Sequence, residues 1–99
     1  MKLIAFYEMN PEDFAKVIPK FSEAHAARKT APGKFPKIVF DTHALSAEGG
    51  KWKGLTIYED ATEEQLNSLI IHYHPEVVFQ FVPLHAAESF IQQFVKAKK

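Results

Sequence analysis

Hydrophobic residues recur along the chain with two different spacings, which divide it into strands and helices. Apolar runs bounded by turn residues predict four strands. These strands cover Lys2–Tyr7, Lys37–Leu45, Trp52–Glu59 and Val77–Val82. Apolar residues three or four positions apart predict three helices. The helices cover Pro11–Ala27, the stretch behind Thr62, and a last segment with Ala87, Phe90, Ile91 and Phe94 on one face.

Turn and capping residues mark where these elements begin and end. Glu48-Gly49-Gly50 predicts a hairpin connection, because glycines readily adopt the positive φ that tight hairpins require. Thr62 and Gln65 have the spacing of a capping box at the start of the second helix, and Pro75 ends that helix. Pro19 lies inside the first helix, where a bend or an early end is expected.

The resulting order is βαββαβ followed by a further helix. With right-handed crossovers, this order predicts an α+β fold with a four-stranded antiparallel sheet and helices on one face, the ferredoxin-like arrangement. A length of 99 residues fits a single domain over 1–99.

The strand Val77–Val82 is apolar on both faces. Side chains alternate along a strand, so Val77, Phe79 and Phe81 point one way, and Val78 and Val82 the other. Helices of a chain this short cover one face only. The second face therefore predicts a homodimer in which two sheets pack against each other.

Sorting the other strands by alternation separates an apolar class from a mixed one. We expect the apolar class to lie under the helices. It comprises Ile4, Phe6, Ile38, Phe40, Leu55, Ile57, Val77, Phe79 and Phe81. The mixed class combines apolar bulk with polar groups, which is typical of the lining of a ligand cavity. Its polar members are Tyr7, Asp41, His43, Thr56, Tyr58 and Gln80.

Composition narrows the possible partners. Twelve basic and twelve acidic residues give no net charge, so nothing in the overall field favours nucleic acid or an anionic membrane. The absence of cysteine excludes disulfides and thiolate chemistry. The short apolar run near Met1, interrupted by Glu8, predicts neither a signal peptide nor a membrane span, which favours a cytoplasmic location.

The element order and the half-polar sheet face resemble the dimeric α+β barrel superfamily. The segment Tyr73-His74-Pro75-Glu76-Val77-Val78-Phe79-Gln80-Phe81-Val82-Pro83-Leu84 also resembles the end of a small bacterial and archaeal family without an established activity. The resemblance implies a ferredoxin-like fold and sheet-to-sheet dimerisation. It supplies neither catalytic residues nor a cofactor.

The leading functional prediction is a homodimeric domain that binds a small organic ligand. Its cavity is expected between the open sheet face and the helices or the partner, and no cofactor is predicted. The expected ligand contacts are Tyr7, Trp52, Thr56, Tyr58 and Gln80.

An alternative is an enzyme of the cofactor-free monooxygenase or haem-handling kind, which the superfamily resemblance permits. His43 would then act as base or ligand, because the Asp41 carboxylate two residues away can orient an imidazole and raise its pKa. An ordinary ion pair at a strand edge explains the same spacing.

Two further alternatives have less support in the sequence. Lys53–Tyr58 resembles part of an RNA-recognition motif, but Leu55 and Ile57 occupy the positions where aromatic rings would stack on bases. His72 and His74 would share a face only on a strand, whereas the pattern places them at a helix end and a turn. No metal site is therefore predicted.

Overall fold

The computed structural model describes residues 2–98, with side chains for residues 2–43 and 49–98, so that Met1 and Lys99 lie outside the described residues. Within this range the strands are β1 (Lys2–Met9), β2 (Lys37–Glu48), β3 (Lys51–Glu59) and β4 (Val78–Pro83). The helices are α1 (Phe14–Thr30), α2 (Glu63–Tyr73) and α3 (Ala87–Ala97), and a short 3₁₀ turn at Pro11–Asp13 precedes α1.

The described strands form one antiparallel sheet in the order β2-β3-β1-β4. This confirms the α+β class, the antiparallel sheet, and an order of elements that fits the ferredoxin-like arrangement. The central pair is in continuous register, from Lys2 opposite Glu59 to Met9 opposite Trp52. The outer strand β2 is irregular, with three register shifts between Ile38 and Ser46.

Local chemistry explains the ends of the elements. Thr62 Oγ1 accepts a hydrogen bond from the Gln65 backbone N–H at 3.1 Å, and Gln65 Oε1 accepts one from the Thr62 N–H at 3.0 Å. This confirms the predicted capping box. Gly49 and Gly50 have φ of 59° and 76° in the hairpin between β2 and β3, as a tight primed turn requires.

Helix α1 is shifted along the chain relative to the prediction, with the same length of 17 residues. It begins three residues later, after the 3₁₀ turn, and runs to Thr30 rather than Ala27. The early end expected at Pro19 is wrong, since the helix continues through this exposed residue for another eleven positions.

The core lies between the sheet and the helices α1 and α2. It combines small and aromatic side chains from both layers. Its buried members are Ala5, Met9, Val17, Ala24, Phe35, Tyr58, Leu69, Tyr73 and Val77. Leu3, Tyr7, Phe79 and Phe81 pack against them, so the helix-covered face of β1 and β3 carries the residues of the mixed class.

The face assignment of β1 and β3 is therefore the reverse of the prediction. Ile4 pairs with Ile57 and Phe6 with Leu55, as the shared pattern implies, but these residues lie on the side without helices. The prediction for β4 is correct, because Val77 and Phe79 do face the helices. The uncovered side, called the open face below, is mainly apolar. Its centre carries Ile4, Phe6, Phe40, His43, Leu55, Ile57, Val78, Gln80 and Val82, and the charged residues Lys2, Glu8, Lys53 and Glu59 lie on the same side at the ends of β1 and β3.

Helix α3 lies apart from this core. Every one of its residues is exposed, including four large apolar side chains. Among residues 2–98, no helix combines the length and the apolar character needed to cross a bilayer.

Candidate ligand cavity

A cavity of about 240 Å³ lies between α1 and the helix-covered face of the sheet. Its walls come from all four described strands or their ends and from both core helices. The lining residues are Tyr7, Met9, Phe14, Val17, Ile18, Phe21, Thr42, Thr56, Tyr58, Tyr73, Val77 and Phe79. Among these described residues none is charged, and most of the wall is apolar.

One side of the cavity opens along α1. Phe14, Ile18 and Phe21 follow one another at spacings of four and three residues, so they line a single stripe of the helix. They remain between 39% and 49% exposed although they face the cavity. A ligand entering beside α1 would cover them and bury apolar surface, which favours binding.

Hydroxyl groups are the polar elements of the cavity wall. The hydroxyl oxygens of Thr42 and Thr56 lie 2.7 Å apart and share a hydrogen bond between β2 and β3. Thr56 is almost fully buried, and its hydroxyl acts on the pKa of the neighbouring Tyr58 phenol, so these hydroxyls lie in one group. Such a group can donate to or accept from one polar atom of a ligand.

The phenols of the cavity are neutral at physiological pH. The pKa of Tyr73 is raised to about 12, mainly by burial and in part by the nearby Tyr58 phenol. Burial also raises the pKa of Tyr7 and, despite the opposing charge of Arg28, that of Tyr58. These side chains therefore offer uncharged hydroxyl groups rather than phenolates.

Arg28 lies outside the cavity lining and packs against the rings of Phe35 and Tyr58. Its guanidinium carbon lies 5.5 Å from the ring centre of Phe35 and 5.9 Å from that of Tyr58. Its Nε donates a hydrogen bond to the Pro36 carbonyl at 3.4 Å. Because Arg28 is not part of the lining, its charge acts on the cavity through Tyr58.

The structure brings together three of the five predicted ligand contacts. Tyr7, Thr56 and Tyr58 line the cavity, though on the helix-covered face rather than the open one. Trp52 lies just beyond it, with its ring 4.9 Å from that of Phe14, which does line the wall. Gln80 is opposite Phe6 on the open face and cannot reach the cavity.

The pair proposed for catalysis has a different geometry from the expected one. His43 lies on the open face, opposite Leu55 and stacked on Phe40 at 4.4 Å. Its Nδ1 donates to the backbone carbonyl of Asp41 at 2.6 Å, while the Asp41 carboxylate accepts from the Thr42 N–H at 2.7 Å. The Asp41 carboxylate therefore does not orient the imidazole, which differs from the geometry expected for the enzymatic alternative.

The two histidines near the end of α2 have different environments. His72 Nε2 donates to the Lys20 carbonyl at 2.7 Å and so joins α2 to α1, whereas His74 is exposed. Within the described part of the chain, no group of three or more metal-ligating side chains is close enough to hold an ion.

Several lining residues were assigned only to the core by the sequence pattern. Tyr73 and Val17 lie on helical stripes that predict core packing, and a cavity wall has the same pattern. Thr42 follows Asp41 on a strand whose irregular register hides which way each side chain points. No sequence signal separates a packed core from one with space inside it.

Comparison of the chain with models of known protein families, with curated proteins and with solved structures finds no match. The resemblance to the dimeric α+β barrel superfamily therefore remains an expectation.

Proposed function

We propose that the protein binds a small, uncharged and largely apolar molecule in the cavity beside α1, as a homodimeric binding domain. The observation that carries this proposal is an apolar cavity with neutral hydroxyl groups and no charged lining residue among those described. This is the usual composition of a small-molecule site. A volume of about 240 Å³ suits a molecule of one or two rings.

The lining argues against an anionic ligand. A carboxylate that enters an apolar site without a partner loses its hydration, at a cost of several kcal/mol. Arg28 packs on Tyr58, with its guanidinium carbon 5.9 Å from the ring centre, and is not among the lining residues. A ligand hydroxyl or carbonyl would instead meet the hydroxyl groups around Thr56.

A matched pair of probes tests the ligand class. Titration calorimetry should show saturable binding of 1-naphthol with one site per chain, and binding of 1-naphthoate at least about tenfold weaker. Equal binding of the two probes, or binding of neither, would contradict the proposal.

A matched pair of variants tests the location. Ile18→Trp places a larger side chain at the cavity wall and should abolish 1-naphthol binding. Ile71→Trp, at a position on α2 that is 74% exposed and outside the lining, should leave it unchanged. If Ile18→Trp binds 1-naphthol as tightly as the unmodified chain, the ligand lies elsewhere.

The open face supports the homodimer. Contiguous apolar residues such as Ile4, Ile57 and Val82 lie on a side that no described helix covers. Large uncovered apolar surfaces of this kind typically mark an interface. Light scattering should give about twice the chain mass of 11.3 kDa.

A charge on this face should separate the chains. Ile57→Asp is expected to yield monomers, because the carboxylate would be buried at the interface without a partner. Asn67→Asp, on the exposed surface of α2, is the control and should remain dimeric. A monomeric unmodified protein at micromolar concentration would contradict the dimer without affecting the ligand proposal.

A further inference from the structure

Helix α3 carries an apolar stripe that its own chain leaves uncovered. Phe90, Ile91, Phe94 and Val95 are 63%, 58%, 54% and 51% exposed. Their spacing of one, three and four residues places them on one side of the helix, next to Ala87. Ser89 and Lys96 lie on the opposite side.

An uncovered α3 is not a stable state by itself. It has eleven residues, and isolated helices shorter than about 12–15 residues are marginal in water. Its N-cap is Ala86, which supplies no side-chain hydrogen bond to the first turn. The stripe therefore needs a surface to pack against.

The accessible surface and the radius of gyration indicate how much more surface the chain exposes than a compact monomer does. The accessible surface is 6985 Å², whereas a folded monomer of this mass exposes about 5,700 Å². The excess of about 1,300 Å² is more than the roughly 800 Å² that each partner contributes to a standard interface. The radius of gyration, 15.9 Å, also exceeds the value of about 13 Å for a compact chain of this length.

A short connection joins the start of α3 to the end of the edge strand β4. The Leu84 N–H donates to the Lys2 carbonyl at 2.9 Å, which extends the pairing of β1 and β4 by one residue. Only His85 and Ala86 then separate this bond from the start of the helix. The start of the helix is therefore held near the end of the edge strand β4, where the open face also ends.

The open face is the other large apolar surface of the same chain, and neither surface carries a charge at its centre. In a twofold dimer each surface is presented twice, so two copies can cover both at once. We propose that α3 of each protomer packs its stripe against the edge of the open face of a second copy. This inference rests on the proposed dimer. Each chain then covers the α3 stripe of the other, and this reciprocal contact is called the clasp below.

Light scattering across a dilution series tests the contribution of α3. Phe90→Glu places a charge on the stripe and should weaken dimerisation at least about tenfold. Ser89→Glu adds the same charge to the neighbouring position on the opposite side and should have no such effect. Phe90 is 63% exposed and lies outside the core, so the variant should keep the cooperative unfolding transition of the sheet with α1 and α2.

Cross-linking then distinguishes a partner contact from an intrachain one. The chain has no cysteine, so Val95→Cys accepts a single benzophenone label. The labelled chain is mixed with an excess of ¹⁵N-labelled unmodified chain, irradiated and digested. Cross-links to heavy peptides from the open face support the clasp, and cross-links to light peptides alone overturn it.

The outcomes separate this inference from the proposed function. If Ile57→Asp dissociates the dimer and Phe90→Glu leaves it intact, the clasp is overturned and the sheet interface is supported. A monomeric unmodified chain would overturn both, while 1-naphthol binding would report independently on the cavity.

Discussion

The ring of Tyr7 lies across the backbone of Gly54, its cross-strand neighbour on β3. A β carbon at position 54 would overlap the Tyr7 hydroxyl and would lie 2.6 Å from the His43 carbonyl oxygen. Because the ring occupies the space where a side chain would be, Gly54 allows a large phenol to line the cavity and still pack against the sheet. Gly54 thus sets the shape of this wall.

Gly54→Ala should therefore disturb both the fold and the cavity. The added methyl group must displace the phenol or separate the strands, so we expect a loss of about 1–3 kcal/mol in the free energy of unfolding. A displaced Tyr7 ring would also weaken 1-naphthol binding. Chemical denaturation and titration calorimetry measure the two effects.

Gly33→Ala is the matched control for this change. Gly33 lies in the loop after α1, where an added β carbon would meet nothing within 4 Å. This variant should retain stability and probe binding. If Gly54→Ala behaves in the same way, the Tyr7 ring does not depend on the space above Gly54.

Titration of Tyr73 should reduce stability at high pH. Its phenol has a pKa of about 12 in the folded chain, against 10.0 ordinarily. Below pH 10 the phenol is neutral in both states, but between pH 10 and 12 only the unfolded chain loses the proton. The contribution is therefore present below pH 10 and is lost as pH rises through about 12.

Tyr73→Phe provides the comparison for this effect. Without an ionisable group at position 73, the free energy of unfolding should fall less steeply above pH 10 than in the unmodified chain. Denaturant unfolding across this range measures the slopes. Identical slopes would show that the Tyr73 phenol ionises as easily in the folded chain as in the unfolded one.

The fold was predictable because its signals are local or pairwise. The capping box at Thr62 and the glycine pair of the hairpin identify element ends, and these fix the order βαββαβ. Alternation also identifies which residues share a face, and Ile4 and Ile57, which it places in one class, do lie on the same side of the sheet. Short-range physics is sufficient for these features.

The choice of face was not predictable in the same way. Alternation groups residues but does not say which group the helices cover, and the more apolar group of β1 and β3 proved to be the uncovered one. The register between separate strands sets how the groups combine. Gln80 lies opposite Phe6 rather than Tyr7, so it falls outside the cavity that Tyr7 lines.

Thr62→Ala tests the capping box at the start of α2. The substitution removes the acceptor for the Gln65 N–H, which is expected to cost about 1 kcal/mol of folding stability. Thr30→Ala is the control, because the Thr30 hydroxyl only donates to the Ala26 carbonyl within α1. Equal losses in the two variants, measured by thermal unfolding, would show that the cap contributes nothing specific.

The ion pair of Lys20 and Glu76 should make the stability of the fold depend on pH in the acid range. Lys20 contacts the Glu76 carboxylate and also donates to the His74 carbonyl at 2.8 Å, which joins α1 to the segment before β4. The hydrogen bond and charge of Lys20 lower the pKa of Glu76 from its ordinary value of 4.5. The stabilisation is therefore complete above pH 4.5 and is lost as pH falls below it.

Glu76→Gln should remove this dependence. At neutral pH the variant should be less stable than the unmodified chain, and the difference should vanish in acid as Glu76 takes up its proton. Glu23→Gln, at an exposed carboxylate on the same helix as Lys20, should show a much smaller change. Denaturant unfolding at several pH values measures both, and a difference between Glu76→Gln and the unmodified chain that stays constant into acid would contradict the lowered pKa.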